Sequence, residues 1–152
     1  MLFQQVRSLV AALNAAEVRY LLVGGLAVIA HGYTRLTQDI DVVLDLDDRQ
    51  GVATALSALA ALGYRPRAPV PLDQFADPVR RREWQTDKDM IVFSLYRDGG
   101  DVTELDLFIA APFPFADAWR DRHLAEVDAG VVAPFVDVAR LCAMKEVAGR
   151  PK

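Results

Sequence analysis

Cysteine occurs once in this chain, at Cys142, and histidine twice, at His31 and His123. A lone cysteine excludes an internal disulfide framework and a cysteine-based zinc site. Uninterrupted apolar runs are only a few residues long, far short of the ~18–20 that a membrane-spanning helix needs. The opening segment Met1-Leu2-Phe3-Gln4-Gln5-Val6-Arg7 has no charged start, long apolar stretch or small-residue cleavage site, so a cytoplasmic location without membrane attachment is expected. Basic excess is missing too. A net charge of −4 argues against a protein that coats nucleic acid by electrostatics alone. What is present is 53% apolar and 25% charged residues over 152 positions, enough for a sizeable core, and one domain over residues 1–152 is expected.

Periodicity divides the chain into helices and strands. Leu2, Val6, Leu9, Val10 and Leu13 recur at helical spacing, which predicts an amphipathic helix over Leu2–Glu17. Tyr20–Val23 reads as a buried strand stopped by Gly24-Gly25, Leu26–His31 as a short helix closed by Gly32, and Ile40–Leu46 as a second strand. Arg49–Leu62 is an alanine-rich helix ended by Gly63, and Tyr64 begins a strand that Pro66, Pro69 and Pro71 break. The stretch Pro66–Pro78 is the least regular and is expected to be a surface loop or lid. Met90–Tyr96 and Val102–Ala110 flank the turn Asp98-Gly99-Gly100-Asp101 and should pair as a hairpin. A brief helix at Pro114–Arg120, an alternating segment at His123–Val127, Gly130 before Val131-Val132, and a helix capped by Asp137 and running to about Ala148 complete the pattern. Helices interspersed with several strands, some of them antiparallel, make an α+β (α/β) domain.

The stretch Asp39-Ile40-Asp41-Val42-Val43-Leu44 carries the most chemistry. On a strand alternate side chains share a face, so Ile40, Val42 and Leu44 point to a core while Asp39 and Asp41 share the opposite face, roughly 7 Å apart. Neighbouring carboxylates repel unless a cation lies between them, and oxygen-only ligands suit Mg²⁺. Glu104-Leu105-Asp106-Leu107-Phe108-Ile109 repeats the pattern. Asp106, flanked by leucines, is in an unusual setting for a charge. If the two strands are neighbours, Asp39, Asp41 and Asp106 converge with the capacity for two Mg²⁺ ions, and Asp106 could accept a proton. Glu104 reads more simply as a solvated edge carboxylate.

Val23-Gly24-Gly25-Leu26 puts a strand end, a tight turn and a helix start in four residues, letting backbone N–H groups approach a phosphate. It is neither a Rossmann fingerprint nor a P-loop. Thirteen residues separate Gly25 from Asp39, room for one short helix before the chain re-enters the sheet.

Together, Gly24-Gly25, the thirteen-residue interval, Asp39-Ile40-Asp41 and the later strand bearing Asp106 resemble the nucleotidyltransferase superfamily related to DNA polymerase β. The strings Gly24-Gly25-Leu26-Ala27-Val28-Ile29-Ala30-His31-Gly32, Thr34-Arg35-Leu36-Thr37-Gln38-Asp39-Ile40-Asp41 and Ala143-Met144-Lys145-Glu146-Val147-Ala148-Gly149-Arg150-Pro151-Lys152 are similar to its minimal prokaryotic branch, which includes type IV abortive-infection toxins. The resemblance implies a palm-like mixed β-sheet flanked by helices and transfer of a nucleoside monophosphate from a nucleoside triphosphate such as ATP to an acceptor hydroxyl, with two Mg²⁺ ions. It implies metal and catalytic roles for Asp39, Asp41 and Asp106 and nucleotide contacts for Gly24, Gly25, Arg35, Thr37 and Lys145. The implied acceptor is a tRNA end, a protein or an antibiotic, and an antitoxin is an implied partner. In relatives the ending Gly-Arg-Pro-Lys continues into a further helix, so a C-terminal extension is expected to be absent here. Gly25 stands where many relatives carry serine, which leaves backbone N–H groups to grip phosphate.

Other residues have plainer readings. Lys145 shares a helical face with Val138, Leu141 and Cys142 and could snorkel to water instead. Arg80-Arg81-Arg82 reads as a solvated face before it reads as a nucleic-acid contact, Trp84 as packing before base stacking, His31 as a helix cap and Cys142 as a buried core residue. An inactive nucleotide-binding or partner-binding module of the same fold is the alternative function, and a metal-dependent phosphohydrolase, which favours histidine ligands, is a weaker third.

Overall fold

Apolar–polar alternation along the strands decides which way each strand faces, and the structure, a computed structural model that describes residues 2–33, 39–98 and 103–147, shows the sheet that results. Helix α1 (Leu2–Ala15) buries Val6, Leu9, Val10 and Leu13. Strand β1 (Tyr20–Val23) runs directly into helix α2 (Gly24–Ala30). Strand β2 (Ile40–Leu44) precedes helix α3 (Arg49–Ala61), whose first turn is capped by Asp48 accepting from the Gly51 N–H at 3.0 Å. Strand β3 (Tyr64–Pro66), a 3₁₀ turn (Leu72–Ala76) and helix α4 (Pro78–Lys88) follow. Strands β4 (Val92–Arg97) and β5 (Leu105–Phe108), helix α5 (Phe115–Arg120), strands β6 (His123–Asp128) and β7 (Val131–Phe135) and helix α6 (Val138–Val147) complete the described chain. Asp137 caps α6 as its position predicts, accepting from the Arg140 N–H at 3.2 Å.

The seven strands form one mixed sheet in the order β3-β4-β5-β2-β1-β7-β6. The pairs β2/β5 and β1/β7 are parallel and the others antiparallel, including the expected β4/β5 hairpin. The turn at residues 99–102 lies outside the described residues. This is the mixed, helix-flanked α+β sheet that the sequence implies. Ile40, Val42 and Leu44 of β2 share one face with Leu105 and Leu107 of β5 and with Phe93 and Leu95 of β4, all buried. α1 lies on this side, since the Tyr20 hydroxyl donates to Asn14 Oδ1 at 2.9 Å. α3 packs against α1 and against β3. Trp84 of α4 lies flat on Phe93 with ring centroids 4.9 Å apart. On the other face α2 packs over β1 and β2, with α6 beside it. That face stays only half-buried at Asp41, Ser94, Tyr96, Asp106 and Phe108.

Three expectations are revised. α2 starts at Gly24 rather than Leu26, so both glycines belong to its first turn. The 66–78 segment is not a free loop: Phe75 in its 3₁₀ turn is fully buried, 5.5 Å from the Phe93 ring, because an aromatic side chain gains more by burial than the prolines lose in regularity. The sequence reading also missed α4, whose start is marked by Asp77 accepting from the Val79 N–H and by Pro78 in the first turn. Among the described residues no helix is long and apolar enough to cross a membrane.

Candidate functional site

The site is assembled by strand register. Val23, the last residue of β1, pairs with Asp41 on antiparallel β2, and Asp41 pairs with Asp106 on parallel β5. Register partners share a face, so the two carboxylates stand side by side on neighbouring strands, about 4.8 Å apart at the backbone. Gly24 follows Val23 at once, with φ +69. A Cβ at Gly24 would collide with Asp41 Oδ2 and lie 2.9 Å from its Cγ. Only glycine meets both the backbone angle and the close approach of that carboxylate.

Ser94 of β4 is the next register partner of Asp106, and its Oγ donates to Asp106 Oδ1 at 2.7 Å. Half-burial raises the proton affinity of Asp106 above the ordinary aspartate range, and the negative charges of Asp39 and Glu104 push the same way, against the Ser94 hydrogen bond. Asp39 is exposed just before β2, and its field reaches Asp106. Among the described residues, however, no three Asp, Glu, His or Cys side chains are gathered closely enough to hold a metal ion as they stand. The register-built core of the site is therefore Asp41 with Asp106. Its donor set is all oxygen, which fits a hard divalent cation, and a cation there would favour the ionised carboxylate against the burial and the neighbouring negative charges that raise the Asp106 proton affinity.

The other sequence candidates distribute themselves as follows. Gly25 is buried in the first turn of α2. Lys145 is half-buried in the last turn of α6, and among the described residues it forms no ion pair with Asp39, Asp41 or Asp106. Arg35, Thr37 and residues 148–152 lie outside the described residues. Glu104 is not a simple solvated edge group. Arg67 Nε donates to its Oε2 at 2.7 Å, and the same guanidinium lies 4.5 Å from the Tyr96 ring centroid. Ser94 and Arg67 are the neighbours that sequence reasoning missed. The signal for Ser94 was a hydroxyl between Phe93 and Leu95 in an otherwise apolar strand.

The arginine run divides in three directions. Arg80 pairs with Glu83 at 3.3 Å, Arg81 is buried and donates to the Phe75 carbonyl, and Arg82 is exposed. Trp84 is a packing residue, stacked on Phe93. His31 is the C-cap of α2, and its Nε2 lies 2.8 Å from the Val136 carbonyl. Cys142 is exposed rather than buried, because α6 turns Leu141 inward instead.

A family model described as aminoglycoside-2''-adenylyltransferase matches residues 5–102, a span that contains Gly24, Gly25, Asp39 and Asp41 and ends before Asp106. A search of curated proteins finds no match. Among solved structures, terminal uridylyl transferase 4 from Trypanosoma brucei with bound GTP is 15% identical, with a TM-score of 0.35. The match covers 67% of this chain and 27% of that one, so this chain spans about a quarter of that protein's length.

Proposed function

The chain belongs to the aminoglycoside-2''-adenylyltransferase family, a family of nucleotidyltransferases, and on that premise we propose that it transfers a nucleoside monophosphate from a nucleoside triphosphate to an acceptor hydroxyl. The observation that carries this reading is the side-by-side register of Asp41 and Asp106 with Gly24 pressed against the Asp41 carboxylate. Asp41 and Asp106, joined by Asp39, would hold Mg²⁺, up to two ions. When bound, the metal supplies neutralisation of phosphate charge and polarisation of the acceptor hydroxyl. The residues of the chain do the rest. Gly24 and Gly25 keep side chains out of the way so that backbone N–H groups can face the triphosphate, with Arg35, Thr37 and Lys145 as further contacts. Asp106 takes the proton of the acceptor hydroxyl as that oxygen attacks the α-phosphorus and pyrophosphate leaves. Positioning and charge neutralisation suffice for such chemistry.

The family description names adenylyl transfer to an aminoglycoside, which makes ATP the first donor and an aminoglycoside hydroxyl the first acceptor to test, ahead of RNA ends and protein hydroxyls. A toxin role with an antitoxin partner rests on the sequence resemblance, and a cytoplasmic site of action on the single cysteine and short apolar runs of the chain. A second reading is a nucleotide-binding module of the same fold without turnover.

One assay separates the readings. The protein is incubated with Mg²⁺ and each α-labelled nucleoside triphosphate against aminoglycosides, total RNA and protein. Label transfer that disappears in Asp41→Asn is the expected result. Tight nucleotide binding without transfer to any acceptor overturns the enzyme in favour of the binding module, and release of free phosphate alone points to a hydrolase.

A further inference from the structure

The parallel strands β2 and β5 carry Asp41 and Asp106 near their amino ends. Beyond their carboxyl ends the chain opens again. The segments after Leu44 and after Phe108, together with α4, enclose a cleft of about 490 Å³. From Asp41 to Asp45, and from Asp106 to Ala110, is four strand residues, or about 13 Å, so this cleft is separate from the carboxylate site. The volume is that of a small-molecule site.

The lining divides by chemistry. Its basic side chains are Arg49, Arg81 and Arg82. The lining also holds apolar side chains, among them Ile109, Ala111 and Phe113. Arg81 is only 7% exposed, yet among the described residues its side chain has a single hydrogen-bond acceptor, the Phe75 carbonyl, with the Phe75 ring 5.5 Å from the guanidinium. A guanidinium has five N–H donors, so most of its capacity is unspent where it borders the cleft. Burial, with the positive charges of Arg49 and Arg82, lowers the Arg81 pKa, while Asp77 and Asp47 act the other way. Among the described residues neither Arg49 nor Arg82 has an ion-pair partner within 4 Å. Two acidic residues also line the cleft, but Asp45 is shared with Arg19 at 3.8 Å. Arg49, Arg81 and Arg82 thus meet the carboxylates of Asp47 in the lining and of Asp77 near Arg81, one positive charge more than the negative charges set against them, and an anion would balance it.

The geometry points to a second ligand site in this cleft, for a small organic anion whose phosphate or carboxylate head meets Arg49, Arg81 and Arg82 and whose apolar body lies on Ile109 and Phe113. Arg81 is the fixed element of the site, held by Phe75. Arg49 and Arg82 are exposed and free to close on the head group. This assignment does not depend on the proposed transferase activity.

The test is a heteronuclear NMR titration of the full chain without divalent metal, using phenyl phosphate and phenylacetate as probes. Saturable shifts at the amides of Asp47, Arg49, Arg82 and Ala111 are expected for at least one probe, with a Kd of about 1 mM or tighter. The same titration in Asp41→Asn should be unchanged. Because both arginines are exposed, the double variant Arg49→Glu/Arg82→Glu should fold, and it should bind at least about tenfold more weakly. A response to phenyl phosphate alone assigns a phosphate head, and a response to phenylacetate assigns a carboxylate. Shifts confined to the neighbourhood of Gly24, no saturation with either probe, or equal affinity in the double variant would overturn the site.

Discussion

Asp106 shows how much one neighbour sets the behaviour of a site residue. Its folded-state pKa lies above the ordinary aspartate value through burial first, then through Asp39 and Glu104. In the metal-free protein the native state therefore binds a proton over a pH window in which the unfolded chain has lost it, and stability falls as pH rises through that window. Ser94 narrows the window by donating to the ionised form. Ser94→Ala should push the Asp106 pKa higher still and cost about 0.5–1.5 kcal/mol at neutral pH, whereas Asp106→Asn should remove the window. Thermal melts of metal-free protein from about pH 4 to 7 check this. The melting temperature of Asp106→Asn should gain on wild type as pH rises and that of Ser94→Ala should lose ground, while three parallel curves would refute the assignment. The acidic alternation itself was readable in the sequence, since a period of two leaves little choice of face. The Ser94 hydrogen bond was not, because it depends on which strand lies beside β5.

Elements were legible in proportion to their periodicity. α1, β1, β2, α3 and the β4/β5 hairpin follow from apolar spacing and glycine stops. α4 did not, because Val79 and Trp84 are its only apolar side chains among Arg80, Arg81, Arg82, Glu83 and Asp87, too few to make a stripe. Its capping pair Asp77-Pro78 was the overlooked signal. The proline-bearing segment before it looked like a lid, yet Phe75 anchors it beneath α4, against Phe93 and Arg81. Phe75→Ala should accordingly cost about 3–5 kcal/mol, the range for truncating a fully buried aromatic, read as a lower denaturant midpoint with an unchanged slope. A loss below about 0.5 kcal/mol, typical of surface positions, would restore the loop reading. The same variant removes the ring on which Arg81 rests.

At the scale of the whole molecule, the arrangement that sequence alone could not supply is the insertion of β2 between β1 and β5. β1 and β2 are near in the chain, but Asp41 and Asp106 are 65 positions apart, and pairing of distant parallel strands cannot be read from local pattern. Closing so long a loop costs entropy before any contact repays it. The Ile40 N–H, which donates to the Glu104 carbonyl at 2.9 Å, should therefore gain protection in refolding later than the local helix bonds of α3. Pulse-labelled hydrogen exchange measures that order directly, and protection of Ile40 before α3 would contradict it. The β2/β5 seam also has a consequence for damage. A proteolytic cut beside an exposed residue between β3 and α4, such as Asp73, would leave every acidic residue of the site intact in sequence. It would nevertheless turn the closure of this seam from an event within one chain into a meeting of two fragments, so the two carboxylates would face each other only as strongly as the fragments associate.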